Sequence, residues 1–241
     1  MNYSIKVLMK AFLQYLEQIF KDAMLILLFI APVLIGLFFR YGIPLFQRVL
    51  TDKFGLADIL PPYYLLFDLF LAIMTPLLYC FASAYVILGE IDDGISKYLA
   101  VTPLGKKGYL ISRLGISTCI SFVVTIVVLS LVALSELSLL HIIMISFLSA
   151  ILGFIEALLV VTISSNKVEG MAVSKLSGLF MIGLPVPFFI TGGIQYLLFF
   201  LPSFWISKFA MDKNPVAFLC CIITSAGWIA VLMKKFKRKI N

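Results

Sequence analysis

A chain of 241 residues that is 62% hydrophobic and 13% charged, with a mean hydropathy of +1.11, is no soluble globular domain; such domains carry about 25% charged residues. Its formal charge of +7 does not point to nucleic acid, because the cations sit in short segments between apolar runs, as the positive-inside rule requires. No polar stretch is long enough to bury a core of its own, so residues 1–241 read as one transmembrane domain.

Residues 1–22 come first. Ile5, Leu8, Phe12, Leu16, Ile19 and Ala23 recur at steps of three and four, with Lys6, Lys10, Gln14, Glu17 and Lys21 on the other side. This predicts an amphipathic helix lying in the membrane plane against anionic headgroups. It is not expected to be a secretory leader, since the apolar run behind it ends in Arg40-Tyr41-Gly42 and not in a small-residue cleavage site.

A hydrocarbon core of roughly 30 Å needs about 20 apolar residues as helix. Six segments qualify or nearly qualify: 23–39, 63–88, 109–134, 137–163, 176–191 and 215–233. The fifth is interrupted by Pro185 and Pro187. Residues 192–205 open with Gly192-Gly193 and are too short to cross, so they predict an element that dips into the outer leaflet and returns. Trp205 suits that interface. With the N-terminus inside, fourteen Lys and Arg fall in inner segments and five (Arg40, Arg48, Lys53, Lys208 and Lys213) in outer ones. Both termini are therefore expected in the cytoplasm of a multi-pass protein of the cell membrane, inner or plasma. The two hydropathy halves show no internal repeat.

The sequence carries little enzyme chemistry. Cys80, Cys119, Cys220 and Cys221 lie inside apolar runs without zinc spacing, and the single histidine, His141, rules out a histidine-built metal site. Asp92-Asp93-Gly94 lacks the further aspartates that a metal-dependent membrane phosphotransferase needs, because Lys97, Tyr98 and Leu99 follow. Gly105-Lys106 is the nearest fragment of a phosphate loop, but its first glycine and its hydroxyl residue are missing. The chain is thus expected to be no enzyme, with no metal and no cofactor bound by itself.

Two carboxylates fall within spans, Asp68 and Glu156, and intramembrane carboxylates are functional suspects. The alternatives for Glu156 are a structural hydrogen bond between helices and a place on a transport path.

The segment 89–108 is the least expected part of the chain. Glu90, Asp92 and Asp93 open it, cations follow, and Thr102-Pro103 breaks its middle. Span two is expected to end at Glu90, and Gly94 to turn the chain. A merely solvated loop has no need of Tyr98, Leu99 and Val101. An apolar face rimmed by charge suits a short helix across the inner end of the bundle that docks a soluble partner.

With "EIDDGISKYLAVTPL" from Glu90 and "NKVEGMAVSK" from Asn166, the chain resembles the permease subunits of ABC type-2 transporters, the type V exporter fold. The resemblance covers nearly the whole chain. It implies an all-α membrane protein of six transmembrane helices with an in-plane N-terminal helix. It also implies a cytoplasmic coupling helix between spans two and three and a re-entrant element between spans five and six. Glu90, Asp92, Asp93, Gly94, Tyr98, Leu99, Thr102 and Pro103 become the residues that couple to the ATPase, and Asn166 and Glu169 mark a second inner loop. The implied partners are a separate P-loop ATPase subunit carrying ATP and Mg, a second copy of the chain or a homologous permease, and membrane lipid; nucleic acid is not among them. By position, Phe67, Phe70, Thr75, Glu156, Met181, Phe188 and Phe189 are substrate-path candidates.

The function so implied is ATP-driven export of an amphiphilic drug, peptide or lipid-like molecule. The alternatives are an ATP-independent secondary transporter using Glu156 and Asp68, and a membrane immunity or assembly factor.

Overall fold

The computed structural model describes residues 13–14, 16–55, 59–94, 109 and 111–240. They form an all-helical bundle with no strand among the described residues. Six of its helical segments are long and apolar enough to cross a membrane.

α1 spans Ala23–Phe54, with Asp22 as its N-cap accepting the Met24 N–H at 2.9 Å, and Gly55 ending it at φ 65°. Its 32 residues rise roughly 48 Å. The sequence places the end of this span at Phe39. The helix instead continues through Arg40 and Pro44, because its polar groups find partners. Arg40 donates to the Ala133 carbonyl at 3.3 Å, and the buried Gln47 accepts the Leu60 N–H at 2.9 Å. Gly36 lets α1 approach the next layer: a Cβ there would lie 2.8 Å from a Val132 methyl.

α2 (Tyr64–Asp92) follows a short 3-10 turn, Pro61–Tyr63. A π-helical turn, Ile111–Gly115, leads into α3 (Ile116–Val132). α4 spans Leu139–Ile163. α2 and α4 make the broadest helix contact in the bundle. They approach closely at Gly153, where an added Cβ would lie 2.8 Å from the Pro76 carbonyl carbon and oxygen.

The fifth span is broken earlier than its prolines suggest. α5 covers Lys167–Ser177, a 3-10 stretch covers Gly178–Gly183, and α6 is the single turn Val186–Phe189. Gly183 permits the tight approach of the next element: a Cβ there would lie 2.7 Å from the Phe204 amide nitrogen. Phe189 stacks on Tyr63 at 5.3 Å between ring centroids, so α6 ends beside the start of α2.

Eleven residues later the chain is deep again. The Trp228 indole donates to the Phe200 carbonyl at 2.8 Å, and Trp205 donates to that of Phe199 at 2.6 Å. Trp228 is thirteen residues into α8 (Pro215–Ile240), about 20 Å from its start. α7 (Pro202–Asp212) then climbs back, and Lys213 at φ 53° turns the chain into α8.

The bundle therefore has two ends. The base carries residues 16–22, the end of α2, the π turn, the start of α5 and the end of α8. The distal end carries Gly55, residues 59–63, the α3–α4 loop, Phe189 and Lys213. At the base, Ile19 packs with Leu25, Ala82 and Val86, while Glu17 and Lys21, from the polar side of the amphipathic pattern, are exposed, and so is Phe20. Positions 5, 8 and 12 of that pattern lie outside the described residues.

Candidate functional site

The charged residues of the base form two ties, both made by the last turn of α2. Glu90, 3% exposed, forms an ion pair with Arg113, 2% exposed, with Arg113 Nη2 2.5 Å from Glu90 Oε1 and Nε 3.2 Å from Oε2. The buried Tyr109 hydroxyl donates to Oε2 at 2.7 Å, and Gln18 reaches Oε1 at 3.5 Å. Both carboxylate oxygens are thus satisfied, the condition under which a buried charge pair is tolerated. Ser112 and Ser117 flank Arg113 in this region, Ser112 donating to the Tyr109 carbonyl and Ser117 to the Arg113 carbonyl. π turns of this kind recur at functional positions.

Burial, together with the neighbouring Glu90 charge, pushes the Tyr109 phenol far above its ordinary range. The phenol therefore stays protonated and donating throughout neutral pH. A raised pKa of this kind contributes stability that is complete below the unfolded value of about 10 and is lost as pH rises beyond it. Alkaline titration is therefore expected to destabilise the native chain above about pH 10, and Tyr109→Phe to lessen that loss in melts run across pH.

The second tie joins α2 to α5. Asp92 Oδ2 accepts the Lys167 N–H at 3.0 Å at the exposed N-terminus of α5. Asn166 caps the same helix by accepting the Glu169 N–H at 2.8 Å, and Glu169 reaches back to the Ser165 N–H at 2.6 Å. The helix macrodipole adds to the attraction for Asp92. Asp92→Asn is expected to weaken this tie by about 0.5–1 kcal/mol, read as faster amide hydrogen exchange in the first turn of α5 with the Glu90 region unchanged. Asp93 is exposed, and Gly94 turns the chain at φ 70°.

The two ties divide the α2 carboxylates. Glu90 faces inward, Asp92 faces α5, and Asp93 is left on the surface. Tyr98, Leu99, Thr102 and Pro103 lie outside the described residues. What the sequence missed is Arg113, read there only as one more inner cation, and Tyr109, read as the first residue of a span. The available signal was their place in the sequence: an acid stands before segment 95–108, and a phenol and a base stand after it.

A cleft of about 250 Å³ opens beside these ties, between residues 18–25, the last two turns of α2, and Lys167. The Lys167 side chain lies across Gly89, with its ammonium 5.1 Å from the centre of the Tyr85 ring.

The remaining candidates are dispersed. Asp68 is 1% exposed near the distal end and accepts the Leu134 and Ser135 N–H groups, each at 2.8 Å, together with the Ser135 hydroxyl. It is a clamp between α2 and the α3–α4 loop. Asp68→Ala is expected to cost about 3 kcal/mol by stranding those amides, read as a lower Tm in detergent. Thr75 is fully buried and donates to the Leu71 carbonyl, and Glu156 is buried one turn basal of Gly153. Both lie inside the bundle. Phe67 packs edge-on against Phe39 at 5.5 Å, Phe70 is partly exposed beside the same ring, and Met181 and Phe188 are half-buried against the main core. Phe189, stacked on Tyr63, is exposed.

Against this geometry stand two findings from comparison. Residues 15–234 match the family model described as fluoroquinolones export permease protein Rv2686c-like. Two curated proteins of Mycobacterium tuberculosis are similar: fluoroquinolones export permease protein MT2760 of strain CDC 1551 / Oshkosh, and fluoroquinolones export permease protein Rv2686c of strain ATCC 25618 / H37Rv. Each is 25% identical over 191 residues, covering 78% of this chain and 75% of the relative. Both are permeases, the class that the motifs at Glu90 and Asn166 imply.

Proposed function

Since this chain belongs to the Rv2686c-like fluoroquinolone export permease family, we propose that it is the membrane permease of an ATP-driven ABC type-2 exporter, with ATP and Mg held by a separate P-loop ATPase subunit. The base faces the cytoplasm in this reading, as the distribution of cations supports. In this reading segment 89–108 is the coupling segment, and its Asp93 is exposed. Residues 192–205, which follow Phe189 and whose Phe200 carbonyl accepts from the Trp228 indole, are the outer re-entrant element. Two copies, or this chain and a homologous permease, enclose the path. The cargo is a flat amphiphilic drug of the class named for the mycobacterial relatives.

One observation carries this reading. The two sides of the 95–108 excursion are joined by the buried Glu90–Arg113 pair, and α5 is tied to the same helix end through Asp92. A force on the excursion therefore enters α2, the π turn before α3, and the broken fifth span together. A loop serving only to connect two spans needs no such anchorage. The ATP-independent reading has less to stand on, because Asp68 is engaged as a clamp on backbone amides.

Purification of the tagged chain in mild detergent from its native cells tests the proposal. A P-loop ATPase is expected to co-purify and to hydrolyse ATP, with the association weakened about tenfold by Asp93→Lys and largely kept in Asp92→Asn. A chain that purifies without an ATPase, or one whose association ignores Asp93→Lys, would count against the coupling assignment.

A further inference from the structure

We propose that the basal cleft binds the zwitterionic headgroup of a phosphoethanolamine lipid, one per chain. The inference stands on the cleft alone and does not depend on the exporter reading.

Position comes first. The apolar cluster of Ile19, Leu25, Ala82 and Val86 lies directly against the cleft, and Leu25 and Val86 are part of its wall. Residues 16–21 lie on that cluster with their charged side turned outward. The cleft therefore sits where a membrane-surface helix meets the first buried turn of a span, which is the boundary between headgroups and acyl chains.

Charge selects the ligand. Lys21 and Lys167 supply two cations to the lining, and Asp22 and Asp93 supply two anions. Glu90 also borders the cleft, but its charge is committed to Arg113. The lining is neutral yet strongly polar, which suits a molecule carrying both signs better than a simple anion or cation.

The cations have capacity for a phosphate. Among the described residues Lys167 forms no ion pair, and its ammonium rests over Tyr85. Among the described residues Lys21 pairs with Glu17 alone, at 2.6 Å with both side chains exposed, and such a pair yields readily to a better acceptor. One Asp22 oxygen takes the Met24 N–H, leaving acceptor capacity beside Asp93 for an ammonium that has N–H donors. Ethanolamine has such donors, choline has none, and glycerol has no charge.

Size agrees with this assignment. Pockets that enclose drug-sized ligands begin near 300 Å³, and the cleft, at about 250 Å³, falls below them.

Native mass spectrometry of the full chain in detergent, with defined phosphatidylethanolamine, phosphatidylglycerol and phosphatidylcholine added in turn, tests this. One phosphatidylethanolamine per chain is expected to be retained at least about tenfold more tightly than the other two. Lys167→Gln and Asp93→Asn should each lower that retention about tenfold, the loss of one charge-assisted contact. Gly89→Ala serves where Lys167→Gln fails to fold: its methyl would meet the Lys167 stem and displace the ammonium without removing it, with the same expected loss. Equal retention of the three lipids, or retention unchanged in the variants, overturns the proposal. Equally tight binding of soluble phosphoethanolamine would place a water-soluble ligand in the cleft and overturn the lipid assignment.

Discussion

Arg113→Met is expected to destabilise the chain by about 3–5 kcal/mol, because it leaves the Glu90 carboxylate buried without its cation. Glu90 is 3% exposed, so the stranded charge would be held largely out of water. The measurement is the monodisperse yield and Tm of the purified variant in detergent. Adding Glu90→Gln should restore much of that loss, since a neutral amide can still accept from Tyr109 and costs far less to bury than a carboxylate. The double variant separates folding from coupling: expected to be stable, it should nevertheless stimulate its ATPase poorly, because the charged link across the 95–108 excursion is gone. A double variant as active as the native chain would show that the pair serves stability alone.

Gly153→Ala is the second large effect. The added methyl would sit 2.8–2.9 Å from the Pro76 carbonyl group and Cβ, and backbone cannot move aside as a flexible side-chain end can. Overpacking of this kind costs about 1–3 kcal/mol, and Gly153→Val should cost more. Gly193→Ala is the control: a Cβ there meets nothing within 4 Å, so its Tm should differ little from that of the native chain. If Gly153→Ala melts like the control, α2 and α4 do not cross as closely as described.

The parts legible in the sequence were those with local causes. The apolar runs announced six spans. Gly94, read as a turn, stands where the backbone takes a positive φ, whereas the caps at Asp22 and Asn166, with Glu169 reaching back, are local signals that the sequence reading passed over. The rest depends on groups far apart in the chain. Arg40 appeared to end α1, yet its partner is a carbonyl 93 residues away. Asp68 resembled an intramembrane functional acid, yet its partners are two backbone amides and a hydroxyl across the bundle, and backbone amides leave no mark in a sequence pattern. Glu90 and Arg113 are 23 residues apart; Glu90 read as a docking residue and Arg113 as one more inner cation, and nothing local paired them. Pro185 and Pro187 marked the fifth span as broken, but the break opens at Gly178, where α5 passes into a 3-10 stretch that lets Gly183 approach α7.

The central claim is that this permease moves its cargo only when an ATPase drives the base. The direct measurement is uptake of a fluorescent amphiphilic drug into inside-out vesicles holding the chain and its co-purified ATPase. Accumulation that requires hydrolysable ATP, and that falls strongly in the stable Glu90→Gln, Arg113→Met variant, is the result expected here. Accumulation driven by a proton gradient without ATP, undiminished in that variant, would contradict it and turn attention to Glu156.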